Sequence, residues 1–263
     1  MAVMYDEVFV LRVDTSKIEV YNSEKLTLRR RIEVIGLNNP WDIAACVRYS
    51  CLYIGDNKLA FANRRYSVFR VEMRGNTTRW CIQERPQGIS TSADGWTLIV
   101  LSICPDDRGM LSEYTTHGTL VRKWRLQDDI VEPMCVKQLV NDRFLVCSVQ
   151  ISGLGPLHRV SIVGGISGEV IQSFDGVTES NVGALNLPSH LDIDRRGNVV
   201  VTDCRNGRVL LLDASLANVR ELVKPSDVGR ASWRPDGLWL EETRGRLYVL
   251  DGVDNDLLVF QVK

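Results

Sequence analysis

Apolar and polar residues alternate with a period of two along most of this chain, in runs too short for anything but strands. The clearest runs are CLYIGD (51–56), WTLIVLS (96–102), RFLVCSV (143–149), NVVVTD (198–203) and RLYVLD (246–251). A period of two places successive side chains on opposite faces of a sheet. Each run follows a shorter apolar stretch opened by proline: NPWDIAA (39–45), RPQGIST (85–91), EPMCVKQ (132–138), LPSHLDI (187–193) and RPDGLWL (234–240). The opening prolines are Pro40, Pro86, Pro133, Pro188 and Pro235, spaced by 46, 47, 55 and 47 residues. Between the two stretches lies a turn pair: Tyr49-Ser50, Asp94-Gly95, Asn141-Asp142, Arg196-Gly197 or Arg244-Gly245. A third strand follows in every repeat (SVFRVEM, LSEYTTH, HRVSIVG, GRVLLLD, DLLVFQV), and a fourth in most (TRWCIQ, LVRKWRL, EVIQSF, NVRELV).

Four short strands per repeat make an antiparallel meander that cannot bury both faces alone. Arranged radially, each sheet packs on its neighbours and only short edges stay open. Residues 7–34 add three strands without a leading proline, and the last repeat supplies three. The expectation is therefore all-β: a six-bladed β-propeller of four-stranded antiparallel blades occupying 1–263 as one domain. The ring would be closed by the extreme N-terminus supplying a missing strand.

Composition changes this picture little. The chain has 263 residues, 44% hydrophobic and 25% charged, with a formal net charge of −1. Near-neutrality removes the simplest case for a nucleic-acid binder, a strongly basic chain. Seven cysteines, an odd number, sit mostly within apolar runs, and MAVMYDEVFVLRVD lacks the basic and apolar regions of a secretory leader. They read as buried, reduced thiols of a cytoplasmic protein. No apolar run approaches about 18 residues, so no membrane span is expected.

In the fifth repeat, LPSHLDIDRRGNVVVTDCRNGRVLLLD (187–213), the second strand closes on Asp203, followed by Asn206, Arg208 and Val209. This pattern resembles an NHL repeat. The likeness is strong over 187–223 and fair over 234–263 (GRLYVLDGVDNDLLVF). In the repeat opening at 39 the pattern keeps Asp56 and Asn57 but has no arginine at the matching offset. The whole chain is similar to the propellers that end animal TRIM-NHL proteins, without paired C-x-x-C spacing or heptads that would mark their RING, B-box and coiled-coil regions. Physically, Asp203 at a strand end and Arg208 across a short bend read as a clasp: the carboxylate accepts from turn amides or from the arginine fork.

Catalytic signatures are sparse. There is no nucleophile elbow, phosphate loop, H-E-x-x-H or paired carboxylate, and IVGGISGEV (162–170) reads as a strand–turn–strand hairpin. Some NHL-type lyases hold zinc through histidines placed right after the blade-opening prolines. The matching positions here are Trp41, Gln87, Met134, Ser189 and Asp236. Shifted by one, Asp42, Cys135 and His190 offer a candidate metal set at a central channel, the basis of an alternative reading as a metal-dependent hydrolase or lyase. The preferred reading assigns no catalytic residue and no cofactor.

Several TRIM-NHL relatives bind RNA on the face carrying the fourth-to-first and second-to-third strand loops. In this chain acidic side chains outnumber basic ones there, which disfavours a polyanion. A local sector of Arg205, Arg230 and Arg234 beside Trp233 keeps RNA as an alternative. A rigid, mixed-charge, loop-rich disc suits a protein or peptide partner better. Trp41, Arg205, Arg230, Trp233 and Arg234 are the candidate partner-binding residues, since aromatics and arginine dominate interface hot spots. The loop 148–159 is a further candidate anchor, and the extra segment 175–186 is expected to be the mobile loop.

Overall fold

The computed structural model describes residues 1–12, 15–60, 65–152, 155–176, 182–230 and 232–262. The short alternating runs fold as antiparallel sheets, each strand pairing with the next in sequence. Six sheets, five of four strands and one of three among the described residues, make an all-β, six-bladed β-propeller.

The chain divides into two compact units, Met1–Leu126 and Gln127–Lys263. The first holds three sheets. They are β1 (Ala2–Met4), β2 (Glu7–Leu11), β3 (Lys17–Asn22) and β4 (Leu28–Glu33); β5 (Pro40–Cys46), β6 (Cys51–Ala60), β7 (Arg65–Glu72) and β8 (Thr77–Ile82); and β9 (Arg85–Thr91), β10 (Thr97–Ile103), β11 (Gly109–Thr115) and β12 (Leu120–Arg125). The second holds β13 (Val131–Leu139), β14 (Arg143–Ser152), β15 (Gly155–Gly164) and β16 (Val170–Phe174); β17 (Pro188–Ile193), β18 (Val199–Asp203), β19 (Arg208–Leu212) and β20 (Val219–Val223); and β21 (Pro235–Glu241), β22 (Arg246–Asp251) and β23 (Leu257–Gln261).

Sheets begin where the prolines predicted. The extreme N-terminus does supply a strand, β1, but it pairs with β2 and completes the first sheet; among the described residues no N-terminal strand joins the last sheet, which corrects the expected closure of the ring by that strand. The sixth sheet keeps three. The segment 148–159, read as a loop, belongs largely to β14 and β15, paired from Arg143↔Gly164 out to Ser152↔Gly155. Part of the expected mobile segment, 177–181, lies outside the described residues.

Period-two alternation builds the core between consecutive sheets of one unit. In β18, Val199 and Val201 join Leu145, Cys147, Val160, Leu191 and Leu210, whereas Val200 joins Val209, Trp233, Leu247 and Val249 on the other side. In the first unit Phe9, Ile18, Ile43, Leu52 and Phe69 fill one such layer, and Tyr53, Val68, Leu98, Val100 and Tyr114 the next.

The alternation breaks at one recurrent place. Pro40 faces Asp56 but Asp42 faces Gly55, so Trp41 is an extra residue. Pro235 faces Asp251 and Gly237 faces Leu250, leaving Asp236 extra. In the fifth sheet Ser189 and His190 both fall between Pro188↔Asp203 and Leu191↔Val201. A β-bulge bends the strand and re-aims a side chain, and here it follows the blade-opening proline.

Candidate functional site

In three sheets an aspartate of the second strand, opposite the opening proline, fixes how the sheet begins. Asp203, with no exposed surface, accepts the Asn186 N–H at 2.7 Å, the Asn206 Nδ2–H at 2.8 Å and the Arg208 Nε–H at 2.7 Å. Asp56 accepts the backbone N–H groups of Asn38, Asn39 and Lys58, and Asp251 those of Arg234 and Val253. One short acceptor thus satisfies amides of the segment that leads into the first strand, Asn38, Asn39, Asn186 and Arg234, as buried backbone donors require. Arg208 continues the clasp. Its Nη1 and Nη2 donate to the carbonyls of Val182, Gly183 and Ala184, and Nη1 also meets Glu221 at 3.2 Å. The Asp203–Asn206–Arg208 pattern is one contact network that pins the chain before β17.

The candidate partner-binding residues divide by what holds them. Trp41 keeps 46% of its surface exposed, on the bulge that Asp56 supports from behind. Arg205 is exposed in the single 3₁₀ turn Cys204–Asn206. Trp233 is buried at 6% exposure, and its Nε1–H donates to the Gly207 carbonyl at 2.6 Å. Its ring therefore serves the packing of β19 and β22 rather than an outside surface. Arg230 bridges Asp251, Asp254 and Asp256 at 2.8–2.9 Å, and Arg234 forks onto Asp236. Those guanidinium donors are spent on carboxylates of the second unit.

Each member of the candidate metal set also has local engagements. Asp42 accepts the N–H groups of Ile43 and Ile89, both at 2.8 Å. Cys135 lies directly across from Cys147 in β13 and β14, both buried. His190 donates its backbone N–H to Thr202 Oγ1. Among the described residues no three His, Cys, Asp or Glu side chains are gathered as metal ligands.

All seven cysteines are free thiols, and only Cys81 is exposed. Cys46 and Cys51 face each other across the β5–β6 hairpin. The hydrogen bond from Cys51 pulls Cys46 down to about 6, while the same contact and burial push Cys51 up. Burial, then Asp236 accepting its S–H at 3.0 Å, pushes Cys204 up to about 12. Burial lowers His158, helped by the positive charge of Arg205 and opposed by Asp203 and Glu132.

Sequence reading passed over another group of residues. Tyr5, Val47 and Trp96 are 64%, 58% and 51% exposed, in or beside the turns joining first to second strands of the first unit, and Arg48 lies over the Trp96 ring. The available signal was large aromatic and apolar residues at turn positions, where burial has nothing to offer them.

Comparison with known proteins gives the fold and no more. No protein family matches the chain, and no curated protein matches it. Solved structures do. A chain of the nidogen/laminin complex superposes with a TM-score of 0.68 at 17% identity, covering 97% of this chain and 89% of its own. The Myceliophteria thermophila Cps50 (Swd1) β-propeller domain gives 0.62 at 11% identity, covering 98% and 94%. A streptogramin B lyase gives 0.58 at 12% identity, covering 98% and 80%. A complex component, a propeller domain and a lyase on one architecture show why the fold alone assigns no activity.

Proposed function

We propose that this chain is a non-catalytic propeller of NHL type that binds a protein or peptide partner through the face carrying its fourth-to-first and second-to-third strand loops, in the cytoplasm. Trp41 carries the reading. A half-exposed indole on a bulge just after Asn38 and Asn39, whose backbone amides Asp56 holds, is an anchor that loses little conformational freedom on binding. Arg205 is the exposed cation of the second-to-third strand turn Cys204–Asn206 in the second unit. The NHL character draws support from the Asp203, Asn206 and Arg208 network, which makes the contacts the motif calls for. Crosslinking in cell extract tests the reading. Trp41→Ala and Arg205→Glu are each expected to reduce recovery of a specific partner, and unchanged recovery after both substitutions overturns this face as the binding surface.

A further inference from the structure

The ends of the first-to-second strand hairpins of the first unit form a surface of their own, away from Trp41. Three turns meet there. The Tyr5 hydroxyl lies 2.8 Å from Ser50 Oγ and 3.4 Å from the Val47 carbonyl, tying the β1–β2 turn to the β5–β6 turn. The Cys46 thiol donates to the Gly95 carbonyl at 3.6 Å, tying the β5–β6 hairpin to the β9–β10 turn. Gly95, at φ +72°, leaves room for the Arg48 stem: a Cβ there would stand 3.2 Å from Arg48 Cβ. The Arg48 guanidinium then lies 3.5 Å from the centre of the Trp96 ring, and Tyr49 meets the same ring edge-on at 6.1 Å.

This surface is uncommitted, unlike most of the arginine chemistry in the molecule. Arg12, Arg29, Arg30, Arg31, Arg122 and Arg125 each face a carboxylate of the first unit. Arg48 makes no ion pair among the described residues, yet its position is fixed by glycine beneath its stem and indole beneath its plane. The nearby Asp94 is occupied, accepting the Ser92 hydroxyl at 2.7 Å and the Trp96 N–H at 3.0 Å. A guanidinium held flat, with its planar fork unused, matches a carboxylate in a bidentate pair. The exposed faces of Trp96, Val47 and Tyr5 supply apolar area beside it. A single arginine with the Asp94 carboxylate close by gives little net positive potential, which disfavours a polyphosphate backbone.

We infer that this surface binds an acidic–apolar peptide segment of a partner protein, with one Asp or Glu carboxylate on Arg48 and a flanking aliphatic side chain against Trp96 and Val47. The inference stands apart from the Trp41 face, so either fails without the other.

The test titrates the full chain with a synthetic nonapeptide carrying Leu-Glu-Leu in a Gly/Ser background, and with the same peptide in which Glu is replaced by Gln. Indole N–H resonances report the site, with Trp96 assigned from Trp96→Phe. The expected result is saturable displacement of the Trp96 signal, weakened roughly 10- to 100-fold by the Gln peptide and by Arg48→Gln. Arg48→Lys is also expected to weaken binding, because it keeps charge but loses the plane. Equal binding of the two peptides, no saturation, displacement of Trp41 in place of Trp96, or tighter binding of single-stranded RNA than of the acidic peptide overturns the inference. The peptide substitution keeps the test valid even if an Arg48 variant folds poorly.

Discussion

Removing the Asp203 carboxylate is the sharpest perturbation of the clasp. The group is fully buried and accepts three hydrogen bonds, one of them from Arg208, whose side chain is only 10% exposed. Asp203→Ala strands that guanidinium inside the protein. Breaking a buried pair by deleting one partner costs about 3–5 kcal/mol, far more than the net worth of the intact pair. Glu221 still faces Arg208 Nη1 at 3.2 Å, and three carbonyls still accept from the fork. This residual solvation puts the expected loss near the lower end, about 3 kcal/mol. Asp203→Asn keeps one acceptor oxygen but turns an amide toward a cation, and is expected to cost about 1.5–3 kcal/mol. Arg208→Met leaves a buried carboxylate with only Asn186 and Asn206 as donors, and should cost about as much as Asp203→Ala. The double variant Asp203→Ala/Arg208→Met removes both charges, so its loss should fall short of the sum by at least about 1.5 kcal/mol. Urea unfolding followed by circular dichroism reads the energies, and hydrogen exchange at the Asn186 amide reads the local opening. A loss below about 1 kcal/mol for Asp203→Ala, or strict additivity in the double variant, would refute the clasp as the element that fixes this bend.

Gly118→Ala places a methyl 2.5 Å from the Trp80 ring at φ +88°, so a loss of roughly 3 kcal/mol and a clear fall in Tm are expected, whereas Gly75→Ala, with open space around it at φ +98°, should cost only about 1 kcal/mol. Iodoacetamide at pH 8 should label exposed Cys81 first and leave Cys204 unmodified in the native state, which mass spectrometry of the digest checks. Because Cys204 titrates higher folded than unfolded, its contribution to stability is whole below its ordinary value of 9.0 and declines as pH rises toward about 12. Cys204→Ser should therefore flatten the alkaline limb of the stability profile. Glu7 behaves oppositely: hydrogen bonding by Arg30, against some burial, holds it below its ordinary 4.5. Its contribution is present above 4.5 and lost as pH falls below that, so Glu7→Gln should reduce the acid dependence of Tm.

The strands were legible because three signals agreed: period-two alternation, a proline near the opening of five of the six sheets, and glycine or asparagine at most of the turns. The place of β1 beside β2 escaped because Ala2–Met4 is three buried residues with no alternation to set its register. The bulges escaped because they interrupt the period that identifies strands, so inferring which side Asp42 or His190 faces by counting from the proline fails there. Arg230 read as an unpaired cation because Asp251, Asp254 and Asp256 are brought to it by folding, whereas the Arg234 partner, Asp236, stands two residues away in the sequence and was passed over. Trp233 looked exposed because its hydrogen-bond acceptor, Gly207, belongs to the previous sheet. The Arg48–Trp96 stack joins turns of neighbouring sheets, and no local pattern announces it.

The clasp and the bulge together separate architecture from recognition within one short stretch. The residue opposite the opening proline is Asp56, Asp203 or Asp251 in three sheets, doing one job: fixing the backbone where the new sheet begins. In the third sheet the position opposite Pro86 is Ser102, 1% exposed. The residue after the proline has no such job. It is Trp41, Gln87, Ser189 or Asp236, and its exposure ranges from 46% for Trp41 to 6% for Gln87. A fixed backbone with a variable side chain on the bulge is the arrangement by which a repeated fold acquires a specific site without altering its packing. The same logic explains why the repeat motif points so directly to the fold and so weakly to the partner. Its most regular residues are consumed by the clasp, and the positions able to meet another molecule are those on which the repeat places no demand.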